Sequence, residues 1–442
     1  MNEEQRKNEV KKQGLYLRLN DGKFLKLRKK IKSYAEQFSD RELFESFYKC
    51  FFNTIDTTSY FEEDGSVFVL TGDIPAMWLR DSAAQVMPYF YFAKEDKEVR
   101  EYLKGVLKRQ FQYILIDPYA NAFKRNADDA GEWDGCVITN RLPKIVWERK
   151  FELDSLCYPL FLICKYYEAS GDSSCFDGLF IDAFDEIVRV VEAERAHSKN
   201  SEYYIEFKSG TQRVGYSDPK EEKGLVWSGF RPSDDPCEFP YHIPDNMFLV
   251  GVLHKLADIF RKILNDVKRE ELCRNLKNDL KSLIDLYGIA ETEEYGRIYV
   301  SETNCNGNFH FDDDANVPSL LSIPFLEYPY IDEEVYKNTR KVVLSKANKF
   351  YYEGTKLKGI GSPHTPSRRV WPLALIMQAL TSDNPKEMND LVHMLKDSAD
   401  GTYYMRESVD CNDLGRYSRP WFAWANSMFA YLIITKRKVI KL

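Results

Sequence analysis

Apolar residues recur every three or four positions through most of this chain, the spacing that turns one face of a helix inward. Segments with that spacing run over residues 24 to 38, 40 to 54, 79 to 93, 97 to 116, 153 to 170, 179 to 197, 245 to 265, 269 to 287, 333 to 350, 368 to 381, 385 to 397 and 420 to 436. Asp40 precedes RELFESFYKCFF as an N-cap, and Gly171 follows DSLCYPLFLICKYYEAS as a terminator. Strand-like alternation is confined to Ser66 to Leu70, Tyr203 to Phe207 and Arg297 to Val300, lengths that suit hairpins or loop ornaments.

The connections between these helices are unequal. Some span a few residues, as between 93 and 97, whereas 55 to 78, 117 to 152, 198 to 244, 288 to 332, 351 to 367 and 398 to 419 are long and rich in Trp, Arg, Asp and Gly. Long irregular segments in a compact domain are usually functional. Short and long links alternating along about a dozen helices predict an all-α fold. The form expected is an (α/α)6 toroid, a barrel of helical hairpins with long functional loops at one end. An open solenoid is the alternative, but the chain shows no repeat of fixed period. Nothing marks an internal linker, so one domain over 1–442 is expected, with residues 1–20 as an N-terminal extension.

Composition narrows the chemistry. With 44% hydrophobic and 14% aromatic residues against 30% charged, the 442 residues can bury a sizeable core. The net charge of -7 argues against nucleic acid as a partner. The basic run KFLKLRKKIK reads as the solvated face of a first helix, with Phe24, Leu27 and Ile31 turned inward. The N-terminal residues lack the apolar stretch of a signal peptide, and no run approaches the eighteen apolar residues of a membrane span. Nine scattered cysteines, never spaced as CxxC, read as reduced thiols of a cytoplasmic protein. The six histidines show neither HExxH nor clustering with cysteine, so neither a metal nor another cofactor is expected.

One stretch, TGDIPAMWLRD at 71 to 81, closes a long loop where a helix begins. NADDAGEWDG (126 to 135), GLVWSGFRPSDD (224 to 235), DDDANVPSLL (312 to 321), GSPHTPSRR (361 to 369) and YYMRESVDCNDLGRYSRPWFAWAN (403 to 426) share its composition. Carboxylates beside flat aromatic rings suit a sugar, since acids accept from hydroxyls and ring faces cover C–H patches. A single such loop reads as helix capping and surface ion pairs; all of them together do not.

At GDIPAMWLRDSAAQVMPYF (72 to 90), WSGFRPSDD (227 to 235), DDANVPSLL (313 to 321), SPHTP (362 to 366) and RPWFAWANS (419 to 427) the chain resembles glycoside hydrolase family 125, the exo-acting α-mannosidases. The resemblance extends over nearly the whole chain. It implies an (α/α)6 fold, release of α-1,6-linked mannose from a mannose-containing oligosaccharide or N-glycan-derived substrate, and inversion without a metal.

Inverting hydrolysis needs two carboxyls from different loops, roughly 6.5 to 9.5 Å apart. The resemblance points to Asp234 in RPSDD as the acid, with Asp235 as its rival; two adjacent carboxylates disfavour double ionisation. It points to Glu407 in MRESVD as the base, with Asp410 and Asp413 as rivals and Arg406 or Arg419 as the cation that keeps it ionised. Arg80 and Asp81 are expected to fork onto adjacent hydroxyls, unless their side chains diverge, and Trp78 to supply a wall. His364 is a candidate for a sugar hydroxyl, and Arg231, Trp227 and Arg419 for leaving-group or wall contacts. His197, His242, His254, His310 and His393 read as structural.

Two rival classes differ in what they require. A sugar epimerase or isomerase on a similar toroid would show two opposed loop histidines. A non-catalytic glycan-binding protein would keep Arg80, Asp81 and the tryptophans without needing Asp234 and Glu407.

Overall fold

The computed structural model describes residues 20, 22–129, 142–203 and 222–441, with the backbone of 136–137 and 206–207. The expected extension, apart from Asn20, and the second half of NADDAGEWDG lie outside the described residues. Each expected helical segment contains a helix, and strands are short. The chain divides into two compact units, Met1–Arg109, Lys165–Gly171 and Phe350–Leu442 forming one, Gln110–Cys164 and Asp172–Lys349 the other.

In the first unit the basic run folds as expected, with Phe24, Leu27 and Ile31 buried and the lysines outward. Asp40 caps Arg41–Asn53 by accepting from the amides of Glu42 and Leu43 at 2.9 and 3.1 Å, leaving an apolar stripe from Leu43 to Phe52 to pack inward. That helix packs on Ala423–Lys436, which also packs against Leu79–Gln85 and Pro372–Leu380. With neighbours on several sides, Ala423–Lys436 is apolar nearly all round. Its one-turn polar entry is satisfied internally, Asn426 donating to Asn53 Oδ1 at 3.1 Å and accepting from the Met405 amide at 2.7 Å.

The continuous helix expected over 79 to 93 is broken. It resolves into Leu79–Gln85, a tight turn at Met87–Tyr89 and Phe90–Ala93. Pro88 explains this, because it has no N–H for the carbonyl four residues back and its ring crowds that carbonyl.

In the second unit Ile243–Ile259 and Val267–Tyr287 pack as a hairpin. The turn between them places Asn265 at φ 53, and the side chain of Asp266 caps the second helix. The segment expected to be helical to residue 350 ends at Val343, where Asn348 donates to the Val343 carbonyl at 3.0 Å. Two small sheets lie in this unit. Tyr241–His242, Glu302–Thr303 and Phe309–His310 form one, with Glu302 opposite both His242 and His310. Ala122–Phe123 pairs with Val146–Glu148, bringing Ala122 opposite Glu148.

Candidate active site

The TGDIPAMWLRD stretch folds back on itself in the first unit. Thr71 N–H donates to the Ala76 carbonyl at 2.9 Å, Ala76 N–H to the Ile74 carbonyl at 2.8 Å, and Trp78 N–H to Thr71 Oγ1 at 3.3 Å. Gly72 sits at φ +83 with Trp421 against it, the nearest indole carbon 3.5 Å from where a Cβ would stand. Trp78 is 5% exposed and opens the helix Leu79–Gln85. Arg80 and Asp81 are both buried and do not diverge: Nε of Arg80 lies 3.5 Å from Oδ2 of Asp81. The Arg80 guanidinium also lies 5.6 Å from the Trp424 ring centroid.

Glu407 is 5% exposed, on a segment fixed from both sides. Before it, Met405 is tied to Asn426 and accepts from the Phe422 amide at 2.8 Å. After it, Ser408 shares a 2.6 Å hydroxyl contact with Ser418, and Val409 pairs with Val370. Arg419 sits between two carboxylates, Nη1 3.5 Å from Glu407 Oε1 and Nε 3.6 Å from Asp73 Oδ1. Of the two arginines expected beside Glu407, only Arg419 is placed there. Arg406 turns to Asp400, the Leu414 carbonyl and the face of Tyr417. His364 is exposed, its ring edge-on to Trp371, which packs on Phe422, the ring facing Arg419.

In the second unit the RPSDD turn is closed by Arg231 N–H donating to the Asp235 carbonyl and Asp234 N–H to the Arg231 carbonyl, both at 2.9 Å. Asp234 adopts the left-handed conformation, φ 63, which Asp tolerates better than most residues. Its Oδ1 accepts from Asn121 Nδ2 at 3.3 Å. Asn121 also donates to Glu148 at 2.7 Å, and Lys150 Nζ lies 3.4 Å from Glu148. Burial pushes the Glu148 carboxyl up, Lys150 opposes this and the Asp234 charge adds to it. The like-charge neighbour the geometry gives Asp234 is therefore Glu148. Asp235 bears on Arg231 and Asp314. Asn121 and Glu148 escaped the sequence reading, although both lie in the long 117 to 152 connection it marked as functional.

Arg231 lines a small pocket with His242, Glu302, Asp313 and Asp314. Its Nε lies 2.7 Å from Glu302 Oε1. Asp313 accepts from the Leu320 and Leu321 amides at 2.6 and 2.9 Å, yet burial pushes its carboxyl up to about 7 against those bonds and the nearby His242, with Asp314 adding to the rise. His242 pairs with Asp245 at 2.9 Å and His310 with Glu238 at 2.9 Å, so each of these histidines has its own acid.

Trp227 corrects its expectation as a wall. It has no exposed surface, and its indole stacks on His197 with ring centroids 3.7 Å apart. An indole enclosed in this way supports the loop from beneath and offers no face to a ligand.

Residues 40–434 match the family described as metal-independent alpha-mannosidase (GH125). The meiotically up-regulated gene 157 protein of Schizosaccharomyces pombe is 37% identical over 91% of this chain and 84% of its own length. A metal-independent α-mannosidase from Streptococcus pneumoniae, solved in a non-productive complex with α-1,6-mannobiose, is 39% identical with a TM-score of 0.88, covering 92% of this chain and 97% of that one. The glucoamylase of Saccharomycopsis fibuligera, 13% identical with a TM-score of 0.52 over 93% of this chain and 96% of its own, is alike in fold alone.

The fold class is all-α, of the (α/α)6 toroid type, and the protein is a glycoside hydrolase. The chain belongs to glycoside hydrolase family 125, the metal-independent α-mannosidases. Among the described residues no helix is long and apolar enough to cross a membrane.

Proposed function

We propose that the chain is an exo-acting, inverting α-1,6-mannosidase that releases terminal mannose from the non-reducing end of mannose-containing oligosaccharides, N-glycan-derived ones included. The observation that carries the linkage is the 39% identity, over 92% of the chain, to an enzyme solved with α-1,6-mannobiose.

In this reading Asp234 gives a proton to the glycosidic oxygen while Glu407 takes one from the water that attacks the anomeric carbon. The carbon–oxygen bond to the leaving sugar breaks as the bond to water forms, on the opposite face. The Asn121 contact supports the acid by orienting Asp234, and burial together with the Asp234 charge raises the neighbouring Glu148 carboxyl, which favours a proton in that cluster. Arg419 supports the base by fixing Glu407. Arg80 and Asp81, one donating and one accepting, hold adjacent hydroxyls of the mannose ring. The closed turn from Thr71 to Trp78 is the wall that makes the enzyme exo-acting. Arg231, Arg419 and His364 contact the sugar, and Trp227 acts through packing.

The setting proposed is the cytoplasm. Support comes from the described cysteines, which are free thiols and, except for Cys175, buried. Fractionation of native cells should find the protein with cytosolic markers, and recovery from the medium or a vesicle lumen would count against it.

The test of the activity is hydrolysis of the 1,2-, 1,3-, 1,4- and 1,6-linked α-mannobioses at equal concentration. The reading expects the 1,6 isomer to be cleaved fastest. Preference for another linkage, or no mannose released from any, would overturn it.

A further inference from the structure

The loop that carries Asp234 leaves and re-enters the second unit close to one carboxylate, Glu302. The loop is a narrow hairpin: Phe230 pairs with Pro236, Cys237 N–H donates to the Gly229 carbonyl at 3.0 Å, and the RPSDD turn forms its tip. Glu302 lies on the central strand of the three-stranded sheet and is 2% exposed. Its Oε1 faces the entering arm, 2.7 Å from Arg231 Nε. Its Oε2 takes the departing arm, accepting from the amides of Glu238 and Phe239 at 2.8 and 2.9 Å. Flanking strands pair with Glu302 through His242 and His310, so the carboxylate rides on a fixed support.

We infer that Glu302 is a positioning residue for the catalytic acid, clamping both arms of the hairpin so that the Asp234 carboxyl is held where the glycosidic oxygen arrives. The chemistry requires an acceptor on both sides. Arg231 brings a positive charge on one side and the two amides donate on the other, and a carboxylate is the side chain that can pair with a cation through one oxygen while accepting through the other. A carboxamide in its place would turn an NH2 group toward one arm or the other and release that arm. The inference rests on Asp234 being the acid. It goes beyond that reading by naming a residue that acts on proton delivery through the placement of the Asp234 loop.

The experiment compares Glu302→Gln with Asp234→Asn on two substrates, α-1,6-mannobiose and an aryl α-mannoside whose acidic phenol departs without protonation. If Glu302 positions the acid, Glu302→Gln loses roughly 10- to 100-fold in kcat/KM on mannobiose, the scale of displacing a catalytic group by about 1 Å, and keeps most of its activity on the aryl mannoside. A residue with only a structural role would lower both substrates by the same factor, and that outcome overturns the inference, as does no loss on either. If Asp234→Asn shows the substrate split and Glu302→Gln does not, the positioning role fails while the acid assignment stands. If Asp234→Asn itself lacks the split, the acid assignment fails and the inference falls with it. Should Glu302→Gln not fold, Glu302→Asp, which keeps the charge but is one methylene shorter, is measured on the same pair and read by the same outcomes.

Discussion

Arg419 holds Nη1 3.5 Å from Oε1 of Glu407 and, with the same guanidinium, reaches Asp73 at 3.6 Å. A planar fork serves two carboxylates in fixed directions; an ammonium is a compact point charge on a flexible stem and does not fix both directions. Arg419→Lys should therefore loosen the hold on Glu407. With Glu407 as base, the expected effect is a fall of about 10- to 100-fold in kcat/KM, alike for good and poor leaving groups, because water activation is needed in every turnover. Steady-state kinetics on mannobiose and an aryl mannoside check this, with thermal unfolding alongside. A loss confined to mannobiose would place Arg419 with the leaving group.

The two acids separate by leaving-group dependence. Asp234→Asn should cripple cleavage of α-1,6-mannobiose, by roughly 10²- to 10⁴-fold, and spare much of the activity on an aryl mannoside with an acidic phenol. Glu407→Gln should lose both substrates alike. The reverse pattern would exchange the roles assigned to Asp234 and Glu407.

Asp313 predicts a pH dependence of stability. Its folded-state carboxyl titrates near 7, raised chiefly by burial, against an unfolded value of 3.8. The folded state therefore holds this proton more tightly. Its contribution is complete below pH 3.8 and is lost as pH rises through about 7, a change on the order of a few kcal/mol. Asp313→Asn cannot titrate there, and it also forfeits one of the two amide bonds at every pH. Denaturant unfolding from pH 4 to 8 should show wild type losing stability relative to the variant as pH rises. Parallel curves, or a wild type that gains relative to the variant, would show that Asp313 does not keep its proton.

Much of this fold was legible because its helices announce themselves. Lys97–Ile116 and Leu153–Ser170 begin and end where apolar periodicity begins and ends, and Asp40 caps as its position implies. Boundaries failed where one residue overrode the period, as at Pro88, or where a distant side chain closed the end, as Asn348 does at Val343. The site was legible in part for a similar reason. Arg80 and Asp81 are neighbours in sequence, so their pairing needs only one helical turn. The pairing of Arg419 with Glu407 needs the 405–422 segment to fold back on itself, and periodicity says nothing of that. Asn121, Glu148 and Glu302 were missed because each lies in or beside strand pairings of only two or three residues, too short to signal in the sequence. Trp227 misled because a tryptophan beside RPSDD has the same local signature whether its ring is open or covered by His197.

The most direct test of the account is the anomer of the mannose first formed from the methyl glycoside of α-1,6-mannobiose, whose leaving sugar has no free anomeric carbon, followed by proton NMR from the moment of mixing and before mutarotation blurs it. An inverting enzyme acting on the α-linkage must release β-mannose first, and that is the result predicted here. Appearance of α-mannose first would mean a retaining mechanism, and would contradict the roles given to Asp234 and Glu407.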